Sequence, residues 1–330
     1  MFLRYSHTIG LSTMDGRGFY FPVDTAVGSD GKLFVLSRSY EDEPLPTRVT
    51  VCEIDSEYYG TFGAFGTGEG EFTWATAIAI DSENNVYVSD EYTNRITVFD
   101  SLGKFLVSWG KKGIKEGHLD GPSGIAFDQD DFLYVVDHHN NRIQKFTKDG
   151  TFLLAFGSKG NGIGEFNLPW GITISYGGSV YVADWRNDRI QKFSKDGTFL
   201  ASYGCPGKGD GQFHRPSSVA VDREGYIYVA DWGNERVQVL NPDGKFVMKL
   251  RGEATPSKWA FEWLEGNAEE AQARAKSDLE PDVALFGGDV HEESAQIEKY
   301  FWAPVSVKVD NKKRLYVTDS HRHRLQNYVL

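Results

Sequence analysis

The sequence predicts an all-β chain, a six-bladed β-propeller of four-stranded antiparallel blades. Three observations carry this expectation. The tetrad Tyr-Val-x-Asp recurs at Tyr87-Val88-Ser89-Asp90, Tyr134-Val135-Val136-Asp137, Tyr181-Val182-Ala183-Asp184, Tyr228-Val229-Ala230-Asp231 and Tyr316-Val317-Thr318-Asp319. An arginine stands five residues after each aspartate, at Arg95, Arg142, Arg189, Arg236 and Arg324, and Arg48 extends the series backwards. From Arg48 to Arg236 every step is 47 residues, and the last step, to Arg324, is 88. A fixed period of this length, filled with short strands, is the signature of radially repeated sheets.

The third repeat shows the unit. Ser123 to Phe127 is a short apolar strand, and Asp128-Gln129-Asp130-Asp131 is a turn, because Asp and Asn side chains satisfy turn backbone locally. Phe132 to Val136 and Arg142 to Phe146 alternate and are rich in β-formers. Thr151 to Phe156 is the fourth strand, and Gly157 opens a glycine-rich link. First strands are expected near Pro22, Ala75, Pro122, Pro169, Pro216 and Pro304, which makes six blades. The sixth repeat runs out after three strands. Phe2-Leu3-Arg4-Tyr5-Ser6 resembles the fourth strand Phe105-Leu106-Val107-Ser108-Trp109, so the N-terminus is expected to complete the last blade and leave no open edge.

The repeat is similar to the NHL family, whose consensus runs roughly Pro-x-Gly-Ile-Ala-Val-Asp and then Tyr-Val-Ala-Asp-x-x-Asn-x-Arg-Ile. Pro169-Trp170-Gly171-Ile172 and Asp184-Trp185-Arg186-Asn187-Asp188-Arg189-Ile190 follow it closely. The resemblance covers nearly the whole chain and implies one propeller domain over residues 1–330. It leaves function open, because the family includes RNA-binding modules, protein-interaction domains, sensor domains and a metal-dependent amidoglycolate lyase.

The net charge is −12, with 47 acidic and 35 basic residues, a balance that disfavours nucleic acid and anionic membrane as partners. The two cysteines, Cys52 and Cys205, are too few for a disulfide scaffold. No secretory leader and no apolar run of membrane-spanning length is present, so a cytoplasmic location is expected.

Two insertions break the period. In blade one Ser37 replaces the repeat aspartate, and Arg48 follows eleven residues later, which lengthens the loop around Arg38 and Tyr40. Between blades five and six, residues 252–300 hold 12 acidic and 4 basic residues. Leu264, Ala268, Ala271 and Ala275 predict a helix over Trp263–Ser277, and Glu292–Tyr300 predicts a second. Strands alternate in direction, so second-to-third loops and fourth-to-first links emerge on one face, the top. The acidic insertion is expected to lie there as a lid, removable without unfolding the propeller.

The repeat Asp90, Asp137, Asp184, Asp231 and Asp319, and the arginines Arg48, Arg95, Arg142, Arg189, Arg236 and Arg324, are expected to be structural, since a ligand needs no copy in every blade. The residue after each aspartate is not dictated by the scaffold. Trp185 and Trp232 stand there, and with Trp170 they make a candidate aromatic wall, or else pack under the lid against Trp259, Phe261 or Trp263. His138, Arg38, Tyr40, Arg186 and His321 complete the candidate ligand site.

The amidoglycolate lyase resemblance implies metal-binding histidines after the proline of first strands. Here those positions are Val23, Thr76, Ser123, Trp170, Ser217 and Val305, so that site is not carried over. A divalent metal on His138, His214 and His321 is the remaining metal option, although blades three and six lie across the ring from each other. Cys205, with His214 nine residues on, reads as turn filler, and the glycine-rich links precede strands instead of cradling phosphate. The leading functional reading is a module that binds a small molecule, peptide or protein at the top face. The alternative is a lyase or hydrolase acting at the channel mouth.

Overall fold

A computed structural model describes residues 3–39, 46–281 and 288–329. Six four-stranded antiparallel sheets stand around a central axis. The innermost strands are Pro22–Val27, Ala75–Ile80, Pro122–Phe127, Ile172–Ile174, Ser218–Val221 and Pro304–Val309, and each touches its two neighbours around a closed ring. Arg4–Ile9 pairs antiparallel with Arg324–Val329, Arg4 opposite Val329 and Ile9 opposite Leu325, so the last blade is completed from the N-terminus.

The strand sequences explain the layers. Second strands such as Leu133–Asp137 and Val180–Asp184 are buried at every position, because both faces of a blade are covered by its neighbours. Fourth strands such as Phe199–Tyr203 alternate between half-buried and exposed, as a rim strand must. Each of the six seams between blades holds its own apolar cluster, so the core is distributed around the ring.

The repeat aspartates and arginines bind backbone. Asp137 accepts from Asp120 N–H at 2.6 Å, from the Arg142 Nε–H at 2.7 Å and from the Gln144 amide at 3.0 Å. Arg142 then donates to the carbonyls of Lys115 and His118 in the preceding link. Asp184, Asp231 and Asp319 pair likewise with Arg189, Arg236 and Arg324. In blade two Asp90 accepts from Thr73 and Trp74 N–H, while Arg95 reaches the carbonyls of Thr67, Gly68 and Glu71. Arg48 reaches the link carbonyls of Thr13, Met14 and Gly16.

A second tie crosses five seams. The residue just before each repeat arginine is left-handed, at Asn94, Asn141, Asp188, Glu235 and His323 (φ between 51° and 56°). Its side chain accepts the N–H of the residue that precedes the next blade's proline. The pairs are Asn94–Gly121 (2.8 Å), Asn141–Leu168 (2.8 Å), Asp188–Arg215 (2.6 Å), Glu235–Ala303 (2.6 Å) and His323–Phe21 (2.9 Å). A residue before proline ordinarily stays extended. Here Phe21, Leu168, Arg215 and Ala303 are held at positive φ, between 41° and 59°, a strained state that these bonds hold in place. The first seam differs: Thr47 precedes Arg48, and Trp74 N–H goes to Asp90.

The inserted segment forms three helices. Helix α1 spans Lys258–Gly266, α2 spans Ala268–Lys276 and α3 spans Val290–Gln296. The single helix expected over Trp263–Ser277 is therefore two, broken at Asn267, and α1 starts earlier because Ser257 Oγ caps it by accepting from Ala260 N–H at 3.1 Å. The second expected helix, Glu292–Tyr300, lies earlier as α3, capped by Asp289. Residues 282–287 fall outside the described residues.

Helix α1 contributes a side chain to the propeller core. Trp259 is fully buried between blades six and one, edge-on to Phe19 at 5.7 Å and Tyr58 at 6.3 Å. At the four seams from blade one to blade five, a fourth-strand aromatic (Phe62, Trp109, Phe156 or Tyr203) covers a glycine of the next outer hairpin. A Cβ on Gly103, Gly150, Gly197 or Gly244 would meet that ring at 2.3 to 2.6 Å. At the closing seam the equivalent strand residue is Ile9, and the hairpin carries Ser56, at φ 66°, in place of glycine. Trp259 fills the place of the missing ring, and its Nε1–H donates to the Ser56 carbonyl.

Candidate functional site

At the top mouth of the axis is a cavity of about 340 Å³. First strands place Phe21, Trp74 and Trp170 at its wall, each beside the start of an inner strand. One-turn helices after the second strands, Trp185–Asn187, Trp232–Asn234 and Ser320–Arg322, bring in Trp185, Trp232, Ser320 and His321. Arg38 and Ser39 enter from blade one, and Ser217 from blade five. The result is a cup walled mainly by aromatic rings, with Arg38 as the only lining side chain of fixed charge among the described residues.

The rings form a continuous arc. Centroids of Trp170 and Trp185 are 6.4 Å apart, and those of Trp185 and Trp232 also 6.4 Å. His138 stands edge-on to Trp170 at 4.9 Å, and His291 of α3 lies 5.7 Å from Trp232. Arg186 and Arg215 lie over Trp185 at 4.8 and 5.2 Å, and Arg38 over Trp74 at 4.3 Å. Spacings of this order are those of mutually supporting aromatic packing.

Burial dominates the titration of the rim. His138 is held neutral, its pKa pushed down to about 4, while its Nδ1–H donates to the Pro169 carbonyl at 2.8 Å. His321 is also pushed down by burial, and it stands edge-on between Phe21 and Trp302. His323 is pushed down to about 4, which suits an Nδ1 that accepts from Phe21 N–H. Glu91 is pushed up by burial, offset by His139 and Arg38.

The structure thus brings Trp170, Trp185, Trp232, Arg38 and His321 to one cup, with His138 behind Trp170. Arg186 is exposed on the outer side of Trp185, and Tyr40 lies outside the described residues. The metal set does not converge. His138 is spent on a carbonyl, and His214 is exposed beside Asp188 at 3.7 Å. Among the described residues no group of three or more His, Cys, Asp or Glu side chains is placed to hold a metal ion. Cys205 is exposed in its link, and burial pushes the Cys52 thiol up to about 12. Asp24 lies away from the cup lining. It is buried in the channel wall, bonded to Ser306 Oγ, Ile78 N–H and Lys308, and so ties blades six, one and two.

Sequence reasoning missed Trp74 and Phe21. The signal for both was positional, since each stands just before the first residue of an inner strand, where the other repeats carry Gly121, Leu168, Arg215 and Ala303. None of the insertion's described residues lines the cavity, and His291 of α3 reaches the rim at Trp232.

Ring closure, the blade count and the recurrent Asp–Arg ties together define a six-bladed propeller of one repeated unit. The chain carries NHL repeats, matched at residues 72–99, 119–146, 166–193, 213–240 and 301–328. Blade one, with its inserted loop and Ser37, is not matched. No curated protein matches the chain in sequence. Among solved structures, a streptogramin B lyase superposes with a TM-score of 0.58 at 12% identity over 98% of this chain and 96% of its own. A catalytically inactive virginiamycin B lyase from Staphylococcus aureus with quinupristin gives 0.58 at 13% identity over 98% of each chain. A Bacteroides thetaiotaomicron protein of unknown function gives 0.61 at 16% identity, over 94% of this chain and 70% of its own. Likeness at these identities speaks for the fold alone.

Proposed function

We propose that the chain is a binding protein whose top-face cup takes a small, flat ligand, a free aromatic acid or an aromatic side chain of a peptide. The observation that carries this reading is the cup itself. Four tryptophans and a phenylalanine surround a space of about 340 Å³, within the range of small-molecule sites. Stacked or edge-on ring contacts contribute roughly 0.5–1.5 kcal/mol each beyond area burial. Arg38, over Trp74, supplies positive charge at the lining, which favours a carboxylate on the ligand. Binding is preferred to a lyase or hydrolase because catalysis needs an acid and a base that converge on the ligand. The titratable pairs near the rim, Glu235–His291 and Glu91–His139, lie outside the cavity lining.

The test is calorimetric titration with indole-3-carboxylate and with cyclohexanecarboxylate, in the wild-type chain and in Trp185→Ala and Arg38→Ala. The reading expects the aromatic acid to bind about tenfold or more tighter than the saturated one, an advantage lost in Trp185→Ala. Arg38→Ala should weaken both acids. Equal binding of the two, or an unchanged preference in Trp185→Ala, overturns it.

A further inference from the structure

Glu235 occupies the place that Asn94, Asn141 and Asp188 hold in the preceding blades. Its side chain is longer, and it does two things at once. One carboxylate oxygen, Oε2, accepts Ala303 N–H across the seam at 2.6 Å. The other, Oε1, reaches beyond the seam to Nδ1 of His291 at 2.5 Å. Glu235 is 1% exposed, so this is a buried carboxyl committed on both oxygens. His291 belongs to the first turn of α3 and stands 5.7 Å from Trp232, a wall residue of the cup.

The other end of α3 is held differently. The Arg322 guanidinium of blade six donates to the carbonyls of Ser294 (2.6 Å), Ala295 (3.2 Å) and Ile297 (2.9 Å). Arginine keeps its charge throughout the ordinary pH range. One end of α3 is therefore held by a lasting charge, and the other by the Glu235 carboxyl.

We propose that Glu235 and His291 form a proton-sharing latch that seats helix α3 against Trp232 and makes the completeness of the cup depend on pH. Both are positioning residues, acting on the ligand through Trp232. The inference rests on the cup reading only in that last step.

The surroundings of Glu235 set the sign. From α3 it faces His291. From blade six it faces Asp319 and Arg322, while His321 acts on His291. Burial is the largest influence and pushes the Glu235 carboxyl up to about 7, against the lowering contributions of His291 and the Ala303 N–H. A carboxyl released to solvent titrates near 4.5, so the seated state is the one that holds the proton. The stabilisation is complete below about 4.5 and is lost as pH rises through about 7. Above that range the buried Glu235 side chain carries a negative charge beside Asp319.

Hydrogen exchange of the α3 amides, residues 290–296, tests this without any ligand. Protection is measured at pH 6.0 and 8.5 and corrected for the intrinsic pH dependence of exchange. Wild type should lose about tenfold in protection over that interval. Glu235→Gln keeps an acceptor for Ala303 N–H but cannot ionise, and His291→Ala leaves the seam bond alone. Both should give a flat profile. A flat wild-type profile, or a wild-type slope in His291→Ala, overturns the latch. Failure of indole-3-carboxylate to bind would instead overturn the cup and leave the exchange profile standing.

Discussion

Trp259 donates its indole N–H to the main-chain oxygen of Ser56 at 2.7 Å, and through that bond a residue of the acidic insertion enters the core that closes the ring. At this seam the insertion thus supplies part of the propeller's packing. The charge of residues 252–300 hides this, because a single buried ring among many carboxylates leaves little trace in composition.

Trp259→Ala should cost about 3–5 kcal/mol, the usual loss for truncating a fully buried large aromatic. Trp259→Phe, which keeps a ring but loses the bond to Ser56, should cost less than half as much. Urea unfolding followed by circular dichroism measures both. A cost below about 1 kcal/mol for the alanine variant would show that the seam closes without this ring.

Asn141→Ala removes the acceptor for Leu168 N–H and forces a residue with a Cβ and no compensating side-chain bond to stay left-handed. An expected cost of about 1–3 kcal/mol follows from leaving a half-buried donor unpaired. Asn141→Gly should cost less than Asn141→Ala, since glycine adopts this backbone freely. The reverse order in urea midpoints would mean that strain is not borne at this position.

His323 makes the closing seam sensitive to acid. It must be neutral to accept from Phe21 N–H, and burial lowers its pKa from 6.5 to about 4. The stability tied to the neutral ring is present above about 6.5 and is lost as pH falls through about 4. The share of stability tied to His323 should therefore fall from the histidine range downward. His323→Asn, the residue type of the second and third blades, should reduce that acid loss, leaving the share due to His138, which also titrates near 4. Thermal midpoints between pH 7 and pH 4 check this, and parallel curves for the two proteins would refute it.

The ring was legible because its determinants recur. Tyr-Val-x-Asp and the following arginine mark second and third strands, and a strand-like N-terminus beside a three-stranded last repeat marks the closure. Trp170, Trp185 and Trp232 were legible as a wall because they occupy positions that the repeat leaves free. The rest depended on contacts that are not periodic. Trp74 and Phe21 face the cup only because the first inner strands begin beside them. Trp259 reaches its seam from an insertion that no repeat describes. The cross-seam ties were written in the residue before each arginine, but Asn94, Asn141, Asp188, Glu235 and His323 share an acceptor atom and not an identity.

The pairing of Arg4 with Val329 also sets an order of events during synthesis. The strand Arg4–Ile9 leaves the ribosome long before its one partner, Arg324–Val329, exists, and it must wait unpaired on both edges while five blades stack in sequence. Waiting strand edges invite pairing with other chains. Its residues Arg4, Ser6, His7 and Thr8 are polar, which makes the strand a poorer template for a neighbouring chain than an apolar one.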